Sequence, residues 1–252
     1  MVTQLQSPEK SNIIYPDDNG EPMSNNTEQF RLIVEIKENL ELVFAGDPNV
    51  FVAGDLLWYP VEGNNKLCQA PDVMVVLGRQ KGYRGSYQQW LEDNIAPQIA
   101  FEILSPGNRP GAMVEKFQFY EQYGVEEYYL YDPEKLELKG WLRVEEKLEA
   151  IAQMNGWVSP RLGVRFQLSE TELQMFGPSG EPFMSFVELA RLRQEAQARA
   201  EQERQRAEQE RQRAEQAETL LEQAETLLEQ ERSRSLALEA QLRQMGIDPN
   251  EL

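Results

Sequence analysis

Two acidic residues stand where acids are expensive. Asp72 opens the run 72–77 (DVMVVL), and Glu102 interrupts the run 99–104 (IAFEIL). Both runs are apolar and bounded by turn residues, as buried strands are. A carboxylate held ionised in a low-dielectric setting needs a cation or several hydrogen-bond donors. Two such strands lying side by side would bring both carboxylates to one end of a sheet. Oxygen ligands of this kind suit a hard divalent cation, Mg2+ or Mn2+, that keeps some of its waters. The competing readings are a salt bridge to Arg or Lys or, for Asp72, capping of the strand entry after Pro71. Lys116 lies on the next expected helix, 112–123, among Val114, Phe117 and Tyr120. From the inner edge of that helix it could orient an attacking water and steady developing negative charge. The alternative is a surface lysine whose stem snorkels over apolar neighbours.

Composition removes most other chemistries. The 252 residues include no histidine, which excludes Ser-His-Asp and Cys-His nucleophile systems and any zinc site that uses His. Cys68 is the single cysteine, so no intrachain disulfide or four-cysteine metal site can form. With no His to activate it, Cys68 reads as a small packing residue. No apolar run is long enough to span a bilayer, and 1–6 lacks the pattern of a signal peptide. The expectation is a soluble cytoplasmic protein.

The elements that must position these residues divide the chain in three. Residues 1–26 read as an irregular arm, 27–185 as a globular domain and 186–252 as a helical tail. The four tryptophans, every tyrosine and all prolines except Pro249 fall before residue 186. A helix is expected over 27–44, capped by Asn26 or Thr27 and stopped by Gly46-Asp47-Pro48. Strands are expected at 50–52, 56–58, 72–77, 99–104 and 127–131, with a hairpin over 136–154 and short strands at 164–166 and 173–176. A short helix at 87–93, capped by Ser86, follows a glycine-bearing loop that carries Arg79, Lys81 and Arg84. The order of elements suggests α/β with a mixed central sheet.

The tail has no Pro or Gly between 187 and 245, and AEQERQR at 200–206 recurs at 207–213. With Ala200 at heptad position a, the other a positions are Ala207, Ala214, Leu221, Leu228, Ser235 and Leu242. The d positions include Glu203, Glu210, Ala217, Ala224, Glu231, Leu238 and Met245. The seam is good over 214–228 and 238–245 and poor over 200–213, where Ala meets Glu. A helix roughly 90 Å long cannot bury itself against a domain roughly 40 Å across, which points to a coiled coil and self-association. A solvated helix laced by i,i+4 Glu–Arg pairs is the other reading.

The formal charge is −18, with 28 acids and 15 bases in 1–185, and 15 acids and 10 bases in the tail. Neither half has the basic excess of a strong non-specific DNA binder.

The segments APDVMVV (70–76), PQIAFEILSPGN (97–108) and VEKFQFYEQYGVEEYYLYDP (114–133) resemble the Uma-type restriction endonuclease family of the PD-(D/E)XK nuclease superfamily. The likeness spans about 15–190. It implies a restriction-endonuclase-like fold, a mixed central sheet flanked by helices. It also implies Asp72 and Glu102 as metal ligands and Lys116 as the catalytic lysine. The superfamily usually places that lysine two residues after the glutamate, where this chain has Leu104. An acid from the first helix often joins the site; Glu35 and Glu38 are the candidates. Relatives often carry a His near the start of that helix, where this chain has Gln29. The implied function is Mg2+-dependent hydrolysis of DNA phosphodiester bonds, with Arg79, Lys81, Arg84 and Arg109 as the local bases for phosphate contact. The alternative is a catalytically inactive nuclease fold that multimerises through its coiled coil. A third option is action on a small phosphorylated molecule.

Overall fold

A computed structural model describes residues 13–16, 26–106 and 110–246. Arg109 and most of the 1–26 arm lie outside these. The chain forms two compact units, 1–186 and 187–252.

The first helix, α1 (Thr27–Val43), begins where the Asn26 side chain accepts the Gln29 backbone N–H at 2.7 Å. Leu32, Ile33, Ile36 and Leu40 form its buried stripe. The strands follow as β1 (Val50–Gly54), β2 (Trp58–Tyr59), β3 (Val73–Leu77), β4 (Tyr87–Gln88) and β5 (Ile99–Ile103). Next come α2 (Pro110–Tyr123), β6 (Glu127–Asp132), β7 (Glu137–Val144), β8 (Lys147–Ala150), β9 (Arg165–Leu168) and β10 (Leu173–Phe176).

Six strands make the central sheet in the order β1-β3-β5-β6-β7-β8. β5 and β6 run parallel, joined by the α2 crossover; every other neighbouring pair is antiparallel. The sheet is therefore mixed, as the sequence suggests. One face packs Val73, Val75, Ile99, Phe101 and Ile103 against the α1 stripe and Phe166 of β9. The other packs Met74, Val76, Ala100 and Tyr128 against Phe119 and Tyr120 of α2, with Trp58 and Tyr87. Gly124, at φ +95°, ends α2. The Arg143 guanidinium on β7 donates to the carbonyls of Tyr120, Glu121 and Val125, tying down the helix C-terminus.

The helix expected at 87–93 does not form. Tyr87 is fully buried, pairs with Trp58 in a short parallel bridge and donates its backbone N–H to Leu57 at 2.7 Å. Burying that ring holds the backbone extended, and only a single 3-10 turn follows at Gln89–Leu91. The second hairpin strand stops at Ala150, short of 154.

The last element, α3 (Phe186–Gln244), runs for 59 residues without a buried side chain. No described helix is long and apolar enough to cross a membrane.

Candidate active site

The sheet register brings three acids into one row. Gly54 pairs with Val73, and Val73 pairs with Phe101. One residue further along each ladder, Asp55 lies across from Asp72, and Asp72 across from Glu102. Alternation of side chains puts Asp72 and Glu102 on the α2 face, the face of Met74 and Ala100. Both are buried, Glu102 to 2% exposure. Asp72 is fixed to the neighbouring strand: its Oδ2 accepts the Ile103 backbone N–H at 2.7 Å.

Lys116 reaches down from α2. Its Nζ contacts the Glu102 Oε2 at 2.7 Å and Oε1 at 2.9 Å, and donates to the Ala70 carbonyl at 3.2 Å. Tyr120, one turn later on the same face, donates its hydroxyl to Glu102 Oε1 at 2.5 Å. The Trp58 ring stacks parallel to Tyr120 with centroids 6.4 Å apart and closes the floor. The structure thus brings Asp72, Glu102 and Lys116 together, with Lys116 paired rather than snorkelling.

Electrostatics follow from burial. Desolvation pushes the Glu102 carboxyl up to about 7 against the pull of Lys116, and the nearby charge of Asp72 pushes the same way. Burial also raises Asp72, opposed by Lys116, the Ile103 N–H and a hydrogen bond from Gln29. Asp55 is raised for the same reason and feels Lys116 as well. Burial works against the Lys116 charge, but Glu102, Asp72 and Asp55 together hold its pKa above the usual lysine value. The lysine is therefore the fixed cation of the cluster.

Neither first-helix acid is bonded to Asp72, Glu102 or Lys116 among the described residues, though Glu38 lines one cavity with Asp55. Glu35 pairs with Arg31 and Glu38 with Lys37 along the outside of α1. The α1 residue that comes in is Gln29, buried to 4% exposure, whose Nε2 donates to the Ile103 carbonyl at 2.8 Å. Its Oε1 is buried with no hydrogen-bond partner, as is the hydroxyl of Tyr128. The Tyr128 hydroxyl lies close enough to the acids that Glu102 and Asp72 add to burial in raising it, while Gln29 meets Asp72 through its NH2 group, not through the orphaned oxygen. Buried polar atoms are almost always satisfied, so two orphans around one acidic pair mark a place shaped for a polar occupant.

Sequence reasoning missed Asp55 and Tyr128 and gave Gln29 and Tyr120 no part in the site. Tyr120 was findable, four residues after Lys116 on the same helix face. Asp55 was findable only with the register, since a Gly-Asp pair reads as a break between strands.

The loop bases sit elsewhere. Arg79 and Arg84 both pair with Glu92, Arg79 also with Asp93, and Lys81 with Glu41. They follow the far end of β3, about 20 Å from Asp72 at 3.3 Å per strand residue. Each is thus already paired with an acid and lies away from the acidic row.

Fold and site define an α/β protein with a carboxylate–lysine centre on a mixed sheet. Residues 2–174 match the model of the Uma2 family, described as "Putative restriction endonuclease", and the chain belongs to that family. Among solved structures it is similar to "a putative nuclease belonging to DUF820" from Anabaena variabilis ATCC 29413. The identity is 15%, with 55% of this chain and 74% of that chain covered and a TM-score of 0.39. No curated protein matches the chain.

Proposed function

We propose that the chain is a divalent-metal-dependent endonuclease acting on DNA, with Asp72 and Glu102 as metal ligands and Lys116 as the catalytic lysine. The observation that carries this reading is the register of β3 and β5, which sets two buried acids across from each other under one lysine.

The donor set fits a hard cation. Among the described residues no three His, Cys, Asp or Glu side chains are grouped to hold an ion. Two acids and one amide oxygen are nevertheless a normal protein share for Mg2+, which keeps several waters. A carboxylate oxygen accepts twice. Glu102 Oε1 is filled by Lys116 and Tyr120, while Oε2 keeps one free lone pair. Asp72 is anchored to β5 through Oδ2, and Gln29 Oε1 is a buried oxygen without a hydrogen-bond partner that can add a neutral donor. A bound divalent ion there supplies charge neutralisation at a phosphodiester and lowers the pKa of a coordinated water.

The chain's own residues do the rest. Lys116, held cationic by the acids, stabilises negative charge that builds on the phosphate or the attacking oxygen. Tyr120 fixes the Glu102 carboxylate in one rotamer, and Trp58 keeps water out from beneath. With Lys116 on a helix rather than on β5, its reach depends on where α2 sits.

Calorimetry with Mn2+ on the wild-type chain and on Asp72→Ala/Glu102→Ala, followed by single-turnover cleavage of labelled duplex DNA, tests the proposal. The expected result is divalent binding lost in the double variant and cleavage by wild type only. Equal Mn2+ affinity in both proteins would sink the metal site.

A second reading has its own support. The net charge of −18 and the neutralised loop bases favour a nuclease fold that serves as an interaction module. Absence of cleavage with intact divalent binding would select it.

A further inference from the structure

Helix α3 carries an exposed apolar stripe. Leu220, Leu221, Leu227 and Leu228 are each 59–65% exposed, a large apolar area for a helix whose other faces are Glu, Gln and Arg. Arg211 makes an i,i+4 pair with Glu215, but Arg204, Glu218 and Glu225 make no ion pair among the described residues. A helix with an a/d seam and charged flanks meets its own kind in one of two directions, and the charges decide which.

A parallel, in-register pair sets every d residue against its own copy. Glu203, Glu210 and Glu231 would then form three acid-on-acid core layers. At the flanks Arg206 would meet the partner's Arg211, and Arg199 the partner's Arg204. Two other flanking contacts, Arg213 with the partner's Glu218 and Arg234 with the partner's Glu239, would be favourable but do not offset acids facing each other in a core.

The antiparallel arrangement mixes a with d. Centred between Ala214 and Ala217, it layers Ala207 on the partner's Ala224, Glu210 on the partner's Leu221 and Glu203 on the partner's Leu228. The weak Ala/Glu stretch of each chain then lies on the leucine-rich stretch of the other. The e positions become complementary: Arg204 meets the partner's Glu225, and Arg211 meets the partner's Glu218. The two-fold axis doubles both pairs. At g, the aliphatic stems of Arg206 and Arg213 lie over the partner's Leu227 and the partner's Leu220. One like-charge contact remains, Arg199 with the partner's Arg234, near the end of the overlap.

We propose that α3 binds a second copy of this chain as an antiparallel two-stranded coiled coil centred between Ala214 and Ala217.

The test uses the full chain with Cys68→Ser. Ala207→Cys and Ala224→Cys are each made singly and treated with a short bis-maleimide, alone and mixed. The antiparallel pair predicts a cross-link only in the mixture, because Ala207 lies about 25 Å along the axis from the partner's Ala207. Cross-linking of each variant alone means a parallel pair and overturns the proposal, as does a monomeric mass by light scattering at every concentration. Arg211→Glu supplies a readout of opposite sign. It weakens association about tenfold in the antiparallel pair, by turning two attractions into repulsions. It tightens a parallel pair by relieving Arg206, and tightening overturns the proposal.

Discussion

Glu102 and Glu127 lie on neighbouring parallel strands, and both are almost wholly removed from water. Their surroundings differ in kind. Glu127 accepts from Ser159 Oγ, from the Tyr129 hydroxyl at 2.8 Å and from the Arg161 backbone N–H at 2.7 Å. Every donor is neutral and short, and the bonds tie β6 to the loop before β9. Glu102 meets a lysine, a tyrosine hydroxyl and a second acid across the ladder, with orphaned polar atoms close by. A buried acid that is fully satisfied by neutral donors is a clasp. One that shares a cation with other acids and leaves neighbours unsatisfied is set up for chemistry.

Exchanging the two acids for amides is the sharpest way to break that comparison. Glu102→Gln should lower DNA cleavage by at least about 10³-fold with the fold retained, since it removes a proposed ligand and the charge partner of Lys116. Glu127→Gln should leave the rate within a few-fold. It should instead destabilise the protein by about 2 kcal/mol, because the amide NH2 would replace one acceptor oxygen and face either the Arg161 N–H or the hydroxyls of Ser159 and Tyr129. Single-turnover rates and urea melts on both variants decide it; a rate collapse in Glu127→Gln would erase the distinction.

Lys116→Ala comes next. It should cost about 10²-fold in the chemical step while Mn2+ affinity by calorimetry stays within a few-fold, as expected for a group that stabilises charge rather than holding the ion. Full single-turnover activity would reduce Lys116 to a counter-ion.

The pH dependence is smaller and has a definite sign. With its pKa near 7 in the fold and about 4.5 in the unfolded chain, Glu102 holds an extra proton in the native state between those values. Its contribution to stability is therefore lost as pH rises from about 4.5 to 7, by about 3 kcal/mol, and is constant above. Removing it with Glu102→Gln should flatten the wild-type slope of melting temperature in that window, measured in chelator. Bound Mn2+ favours the ionised form, so the thermal shift it gives should grow from pH 5.5 to 8. A shift that is constant over that range would separate the ion from Glu102.

The smallest effect is expected at the loop bases. Arg79→Ala or Lys81→Ala should change DNA cleavage less than about twofold, because each base already serves an acid and lies at the other end of β3. A tenfold loss would show substrate running along that loop.

The buried strands were legible because Val, Ile and Phe leave few other readings for short apolar runs, and an acid inside such a run draws attention to itself. Asp72, Glu102 and Lys116 could be named on that basis and on family likeness. The long tail was legible from its repeat. The helix expected at 87–93 failed because local propensity there loses to a tertiary contact, the burial of Tyr87 beside Trp58. The pairing of the loop bases was hidden for a related reason: composition shows charges but not that Glu92 and Glu41 lie within reach. Gln29 was noted only as a departure from a family residue. That its side chain crosses the end of the sheet to Ile103 depends on how α1 packs, which no local pattern encodes.

Arg143 bears on the site from a distance. Its guanidinium binds three carbonyls at one end of α2, while Lys116 and Tyr120 meet Glu102 further up the same helix. The helix is thus indexed against β7 at its tail and read out at β5. Because it is a stiff rod, an error in seating at the β7 end passes to both side chains together rather than to either alone. Alignment of the two donors over Glu102 is in this sense a machining tolerance, set by one arginine on the opposite side of the parallel pair.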